Sequence, residues 1–137
     1  MKLYYGRIPQ IAEEIVRVLR DTDAIEVTPE LVPEAQLDVQ GVLREYNRTD
    51  RDISKRAREA ADQGRGGVGR IKRQMAHEAN FKLGDEALDY IVNQLIETFL
   101  HSHNIEEIYS DDLELRQRIS GIVKKHTKDT EGALDEE

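Results

Sequence analysis

The chain has 137 residues and contains 33 Ile, Leu and Val residues plus two Phe, which is enough apolar material for one compact core. Its 20 Lys and Arg against 28 Asp and Glu give a net charge of −8, so we expect no general affinity for nucleic acid or anionic lipid. The absence of cysteine excludes disulfides, thiolate nucleophiles and Cys-ligated zinc. No apolar run approaches the ~18 residues that span a bilayer and no signal sequence is recognisable. We therefore expect a soluble cytoplasmic protein with no membrane partner.

The first half of the chain predicts two helices. Apolar residues spaced by three and four predict a helix over about 9–21, with Pro9 at its first position. Residues 25–27 are apolar, polar and apolar, which is consistent with an extended connector or a single short strand but is too short to predict a sheet. A seam of roughly seven-residue period predicts a long helix from about Pro33 to Gly64, kinked near Asn47. The seam consists of Val39, Val42, Leu43, Tyr46, Ile53, Ala57 and Ala60.

Three further helices follow the glycine run at 64–67. Apolar spacing predicts the third helix over 68–80 and the fourth, with Asp85 as its N-cap, up to about His101. Ser110 is predicted to cap the fifth helix, which spans about 111–126. Residues 127–137 are mostly acidic and polar and predict a disordered tail. The fold class is therefore all-α: a single helical domain over 1–126, a bundle of about five helices.

The sequence also predicts an internal duplication. An offset of 80 residues, without a gap, aligns the apolar positions of the first helix with those of the fourth and the connector at 25–26 with 105–106. It also aligns Gly41 with Gly121. We therefore predict helix-connector-helix repeats over 2–48 and 82–128, joined by a basic helical segment over 49–80. Glycine inside a helix lowers the stability of the helix by about 1 kcal/mol relative to alanine. These two glycines therefore either mark a close helix crossing, where a larger side chain would not fit, or are exposed positions of no consequence.

Three stretches of the chain carry a family resemblance. They are Lys2-Leu3-Tyr4-Tyr5-Gly6-Arg7-Ile8-Pro9 with the helix that follows it, Gly69-Arg70-Ile71-Lys72-Arg73-Gln74, and Gly84-Asp85-Glu86-Ala87-Leu88-Asp89-Tyr90-Ile91. The chain resembles the bacterial domain-of-unknown-function 507 family over nearly its whole length, apart from the acidic tail. The resemblance implies a small bacterial protein. It implies no activity, cofactor or catalytic residue.

Positive charge is concentrated in one segment. Residues 44–73 hold ten Lys and Arg against five Asp and Glu, a net charge of +5, whereas the remainder carries −13. Four cations flank the glycine run, which opens onto a predicted helix N-terminus that suits an anion. They are Arg65, Arg70, Lys72 and Arg73. We predict that these four bind an anion or an acidic partner, the alternative being that they neutralise the protein's own carboxylates or only solvate the helix.

Enzyme chemistry finds little support in the sequence. The glycine run has Arg70 and Ile71 where a Walker A motif needs lysine and a hydroxyl. His101 and His103, followed by acidic residues, are weak metal-ligand candidates, because two residues apart on a helix point in different directions. We expect no cofactor.

The favoured interpretation is a non-enzymatic binding or adaptor protein that engages an acidic partner through residues 44–73. The partner is expected to be another protein or a second copy of the chain, with nucleic acid as the alternative. A second alternative is that the protein itself is a metal-dependent enzyme with a site near His101 and His103. The apolar seam could pair with a second copy, although packing within the chain is favoured.

Overall fold

Five α-helices and one two-stranded sheet form the part of the chain that the computed structural model describes, which is residues 2–136 for the backbone and 2–127 for side chains. The helices are α1 (Ile8–Asp21), α2 (Val32–Asp62), α3 (Val68–Glu78), α4 (Ala87–His101) and α5 (Asp112–Glu136). Strand β1 is Ile25–Glu26 and strand β2 is Glu107–Ile108. Short 3₁₀ turns precede α1, α2 and α4. The predicted all-α class with five helices is confirmed.

Four of the helices surround one apolar core. Helix α1 packs on α2 and α5, and α4 packs on the same two helices from the other side. The three-and-four spacing explains this closed arrangement, because it gives each helix one continuous apolar face to bury. The α2 seam lies inside: Val39, Leu43, Tyr46 and Ile53 belong to the main core. Packing of the seam within the chain is therefore confirmed, and the seam is not free to pair with a second copy.

Helix α3 lies outside this ring and packs against the C-terminal half of α2. A second, smaller apolar cluster of Ala57, Ala60 and Ile71 joins the two helices, and Met75 contacts both clusters. Gly64, with a φ of +80°, ends α2, and the Arg65 amide donates to the Ala60 carbonyl at 3.1 Å. A left-handed glycine followed by this hydrogen bond is a common helix stop. The basic segment is thus a helical hairpin, which Ala76 near the end of α3 anchors to the main core.

The connector at residues 25–27 contains the short strand β1, and the sheet that β1 forms with β2 is what the sequence did not predict. Ile25 lies opposite Ile108 and Glu26 opposite Glu107 in an antiparallel pair. Each strand has only two residues, and its partner lies some 80 residues away in the chain, so local pattern could not indicate the pairing. The strands that pair are the connectors of the two predicted repeats. The order of 3₁₀ turn, helix, strand and helix occurs in both halves, as the predicted duplication requires, and the duplication stays a prediction.

The structure corrects the hypothesis of a close crossing at the helical glycines. A Cβ atom built on Gly41 or Gly121 would meet no atom within 4 Å, and both residues are exposed. They lie on the solvent faces of α2 and α5, so no helix approaches them. The alternative reading of two exposed glycines is the correct one.

Two predicted helix caps are also wrong. Asp85 lies inside a 3₁₀ turn, and Glu86, the residue before α4, makes no capping hydrogen bond through its side chain. At α5 the capping residue is Asp111, whose Oδ1 accepts the Glu114 amide at 2.8 Å, while the Ser110 hydroxyl donates to the Asp111 carbonyl. In each case the helix begins one or two residues later than the pattern indicated.

The last helix ends later in the chain than the sequence predicts. Helix α5 extends to Glu136, beyond the predicted end near His126. The side chains of 128–136, and Glu137 altogether, lie outside the described residues. The predicted disordered acidic tail over 127–137 falls mainly on these residues and stays a prediction.

Candidate anion-binding cleft

A cavity of about 750 Å³ opens where the N-terminal residues, the middle of α2, the start of α3 and the turn before α4 meet. Five cations, one carboxylate and three tyrosines stand in its lining. They are Lys2, Arg51, Arg58, Lys72 and Arg73; Asp50; and Tyr4, Tyr5 and Tyr46. We call this cavity the cationic cleft.

Two hydrogen bonds from α2 fix the walls of the cleft. The Asn47 side-chain amide donates to the Leu3 carbonyl at 2.9 Å, and Leu3 itself is buried in the core. This contact holds the N-terminal residues against α2. One residue earlier, the Tyr46 hydroxyl donates to the Lys82 carbonyl at 2.9 Å, which ties α2 to the segment that follows α3. The cleft is therefore built by contacts between distant parts of the chain.

The Tyr46 hydroxyl stays a donor over the physiological pH range. Burial raises the pKa of Tyr46 to about 12, and the electrostatic effects of Asp50 and Tyr90 act in the same direction. Its ring packs against Phe81, with centroids 4.7 Å apart. Tyr46 is thus a rigid part of the cleft wall and not a titrating group.

The cleft holds more positive charge than its own carboxylate can neutralise. The Lys72 ammonium lies 2.9 Å from Asp50 Oδ1, so these two groups compensate each other. Within the described residues, none of the other four cations forms an ion pair: Lys2, Arg51, Arg58 and Arg73. In a molecule with a net charge of −8, this leaves a local excess of four positive charges around one cavity. Such a concave group of cations attracts anions and offers charge-assisted hydrogen bonds to them.

The structure brings together two of the four residues predicted to bind an anion. Lys72 and Arg73 line the cleft, although Lys72 is already paired. Arg65 and Arg70 lie in the loop before α3 and at the start of that helix, outside the cleft lining. The Arg70 guanidinium turns back toward this loop, 3.4 Å from the Arg65 carbonyl. The role of the four as one binding set stays a prediction.

Sequence reasoning missed the other half of the cleft. Arg51 and Arg58 are seven residues apart on α2 and so lie on one face, a signal that was available in the sequence. Lys2, Tyr4 and Tyr5 come from the N-terminus, and only the packing of that segment on α2 brings them to the basic residues. The tyrosines matter because they place aromatic rings beside these cations.

The two histidines considered as metal ligands do not belong to a cluster that could hold a metal ion within the described residues. His101 is the last residue of α4, and its Nε2 lies 3.5 Å from Glu97, one turn earlier on the exposed face. His103 is exposed in the segment that follows. Among the residues described, no group of three or more His, Asp and Glu side chains has an arrangement that could hold a metal ion.

The whole chain matches one protein family. The family model for "Protein of unknown function (DUF507)" covers residues 1–137. The chain belongs to the DUF507 family. This confirms the resemblance carried by the N-terminal residues and the start of α3, and DUF507 is a bacterial family of unknown function. None of the curated proteins matches this DUF507 chain. In the part of the chain that is described, no helix is both long and apolar enough to cross a membrane.

Proposed function

We propose that this DUF507 protein is a non-enzymatic binding protein of the cytoplasm that engages an acidic partner through residues 44–73 and the cationic cleft. The supporting observation is the group of four cleft cations that form no ion pair within the described residues, in a protein whose net charge is −8. A partner's carboxylates or phosphates would reach these cations without first breaking an internal ion pair.

The types of cation suit this role. Three of the four are arginines, Arg51, Arg58 and Arg73, and two of these come from α2 while the third faces them from α3. A guanidinium can donate two parallel hydrogen bonds to one carboxylate or phosphate. Arginines on two packed helices also define a direction for the bound chain, which a single exposed arginine does not.

Nucleic acid is the second candidate partner, after an acidic protein. The observation that favours it is the presence of Tyr4 and Tyr5 in the lining of the same cleft. Aromatic rings beside cations are the usual composition of a surface that binds single strands, where bases stack on the rings.

A charge-reversal experiment tests the proposal. The cleft variant carries Arg51→Glu, Arg58→Glu and Arg73→Glu, and the matched control carries Arg17→Glu, Arg118→Glu and Lys124→Glu on α1 and α5. Both sets take the net charge from −8 to −14. Fluorescence anisotropy at low salt would measure the affinity of each protein for a labelled poly-glutamate peptide and for inorganic polyphosphate.

We expect the native protein and the control to bind at least one of the two anions. The cleft variant should lose at least about tenfold in affinity, since each lost charge-assisted hydrogen bond contributes about 1.5–3 kcal/mol. Equal affinity of the native protein and the cleft variant would overturn the proposal, as would an equal loss in both variants or no binding at all. If the glutamate variant does not fold, the same three positions changed to Gln give the same test with less repulsion.

A further inference from the structure

Helix α2 carries a row of five exposed cations. They are Arg44, Arg48, Arg51, Lys55 and Arg58, spaced by four, three, four and three residues. At 3.6 residues per turn, this spacing keeps all five within about 80° of one another around the helix, and at 1.5 Å per residue the row is about 21 Å long. We call it the α2 cation row.

The charges of this stretch are largely separated by sign around the helix, with the exception of Arg56, which pairs with Asp52 on the acidic side. The carboxylates Glu45, Asp52 and Glu59 recur every seven residues and so form a separate row on the neighbouring face of the helix. A face that only needs solvation usually mixes the signs in pairs three or four residues apart. Within residues 2–127, Arg51, Lys55 and Arg58 form no ion pair with a carboxylate, whereas Arg48 pairs with Glu45 and Arg44 bonds to Gln40.

An exposed aromatic ring lies beside this row. Tyr5 is 59% exposed, and its ring centroid lies 5.9 Å from the Arg44 guanidinium carbon. Tyr5 lines the cationic cleft and also a second cavity of about 380 Å³, whose cations are Arg44, Arg48 and Arg51. The two cavities share Tyr5, Asn47 and Arg51 in their linings. The row and the cleft therefore form one continuous cationic track, with Tyr5 where the two cavities adjoin.

We infer that this track binds a single-stranded nucleic acid, with phosphates along the α2 cation row and a base stacked on Tyr5. The inference rests on the proposed function and develops its second candidate partner, nucleic acid. A single strand presents charges at a regular spacing, and about 21 Å of helix spans at most about six phosphates at the ~3.4 Å spacing of a stacked strand. It also presents flat bases, which stack on an exposed aromatic ring in a sequence-tolerant way. An acidic peptide offers the charge without the flat group, and a duplex buries its base faces.

The test uses the full chain and a labelled single-stranded oligonucleotide of mixed sequence, about 12 nucleotides long to exceed the track. Fluorescence anisotropy gives the affinity of the native protein, Tyr5→Ala and Tyr5→Phe. The control is Tyr109→Ala, because Tyr109 is equally exposed at 62% but lies beside Glu26 and strand β2. We expect Tyr5→Ala to lose about 5- to 150-fold, the range given by a stacking contribution of about 1–3 kcal/mol. Tyr5→Phe and Tyr109→Ala should bind like the native protein.

A second readout reports on the phosphate contacts. For a single strand, the slope of log affinity against log salt is about −0.7 for each phosphate neutralised. Lys55→Gln removes one unpaired cation from the α2 cation row without touching the cleft lining, and we expect it to make the slope less negative by about 0.7. An unchanged slope would contradict the placement of the strand along the row.

The outcomes separate this inference from the proposed function. If Tyr5→Ala binds the oligonucleotide as tightly as the native protein, or if a duplex of the same length binds as tightly as the single strand, the inference is overturned. If the native protein binds poly-glutamate or polyphosphate but not the oligonucleotide, the inference is overturned and the proposed function stands. Binding to none of these probes would overturn both.

Discussion

Glu14 on α1 forms a half-buried charged cluster with α5. Lys125 donates to its carboxylate, and His126 Nε2 lies 2.9 Å from Oε1. Burial on its own would raise the pKa of Glu14, but the hydrogen bonds and charges of Lys125 and His126 outweigh it and lower the pKa below its ordinary value of 4.5. A carboxyl whose pKa is lower in the folded state stabilises the fold above its ordinary pKa, and this stabilisation is lost as the pH falls through the folded pKa.

We therefore expect Glu14→Gln to lower the free energy of unfolding at pH 7 by about 1–3 kcal/mol, as for other lost hydrogen bonds to charged groups. The difference from the native protein should shrink as the pH falls below 4.5. Urea unfolding at pH 7 and at about pH 3 measures both values. Glu13→Gln serves as the control, because Glu13 pairs with Arg17 on an exposed face and such pairs contribute about 0–1 kcal/mol. A Glu14→Gln deficit that is equal at both pH values would contradict this account.

Helix α5 is less stable than it could be because of Gly121. The residue is helical and exposed, and a methyl group there would meet no atom within 4 Å. We expect Gly121→Ala to raise the free energy of unfolding by about 0.5–1 kcal/mol, since alanine loses less backbone entropy on folding. Thermal unfolding followed by circular dichroism measures the effect.

Gly64→Ala provides the contrast, because Gly64 has a φ of +80° and ends α2. Alanine is strained in this conformation, by about 1–2 kcal/mol. The same substitution should therefore raise the melting temperature at position 121 and lower it at position 64. A lower melting temperature for Gly121→Ala would show that α5 is packed differently at this point.

At the level of elements, the sequence predicted the features that depend on the residues of one helix alone. The three-and-four spacing in α1 and α4 located both helices to within a few residues, because one apolar face is enough to indicate a helix. Two features were not predictable in this way: Ile25 pairs with Ile108, and Asp111 caps α5 where Ser110 was expected to. Each depends on where a distant segment lies or on a shift of one residue in the start of a helix. The hypothesis of a close helix crossing at Gly41 and Gly121 was wrong for the same reason. The spacing shows that the two glycines correspond, but it does not show which face of each helix they occupy.

Across the whole molecule, the sequence located the basic segment but not the cleft. Lys72 and Arg73 were identified by their position after the glycine run, whereas Lys2 and Tyr5 become part of the site only because Asn47 holds Leu3 against α2. Net charge could not show the site either. The value of −8 conceals a hairpin of opposite sign. Arg17 on α1 and Arg116 and Arg118 on α5 pair with carboxylates of their own helices, whereas the arginines of the cleft form no ion pair within the described residues.

The most direct measurement is an NMR titration of the isotope-labelled native chain with inorganic polyphosphate at low salt. Binding at the cationic cleft predicts that the amide and side-chain shifts of Tyr5, Arg51, Ser54 and Arg73 move together and saturate, while those of α1 and α5 stay unchanged. Shifts spread over the whole surface, confined to residues outside the cleft, or absent with both polyphosphate and the poly-glutamate peptide would contradict the central claim that these unpaired cations form a binding site.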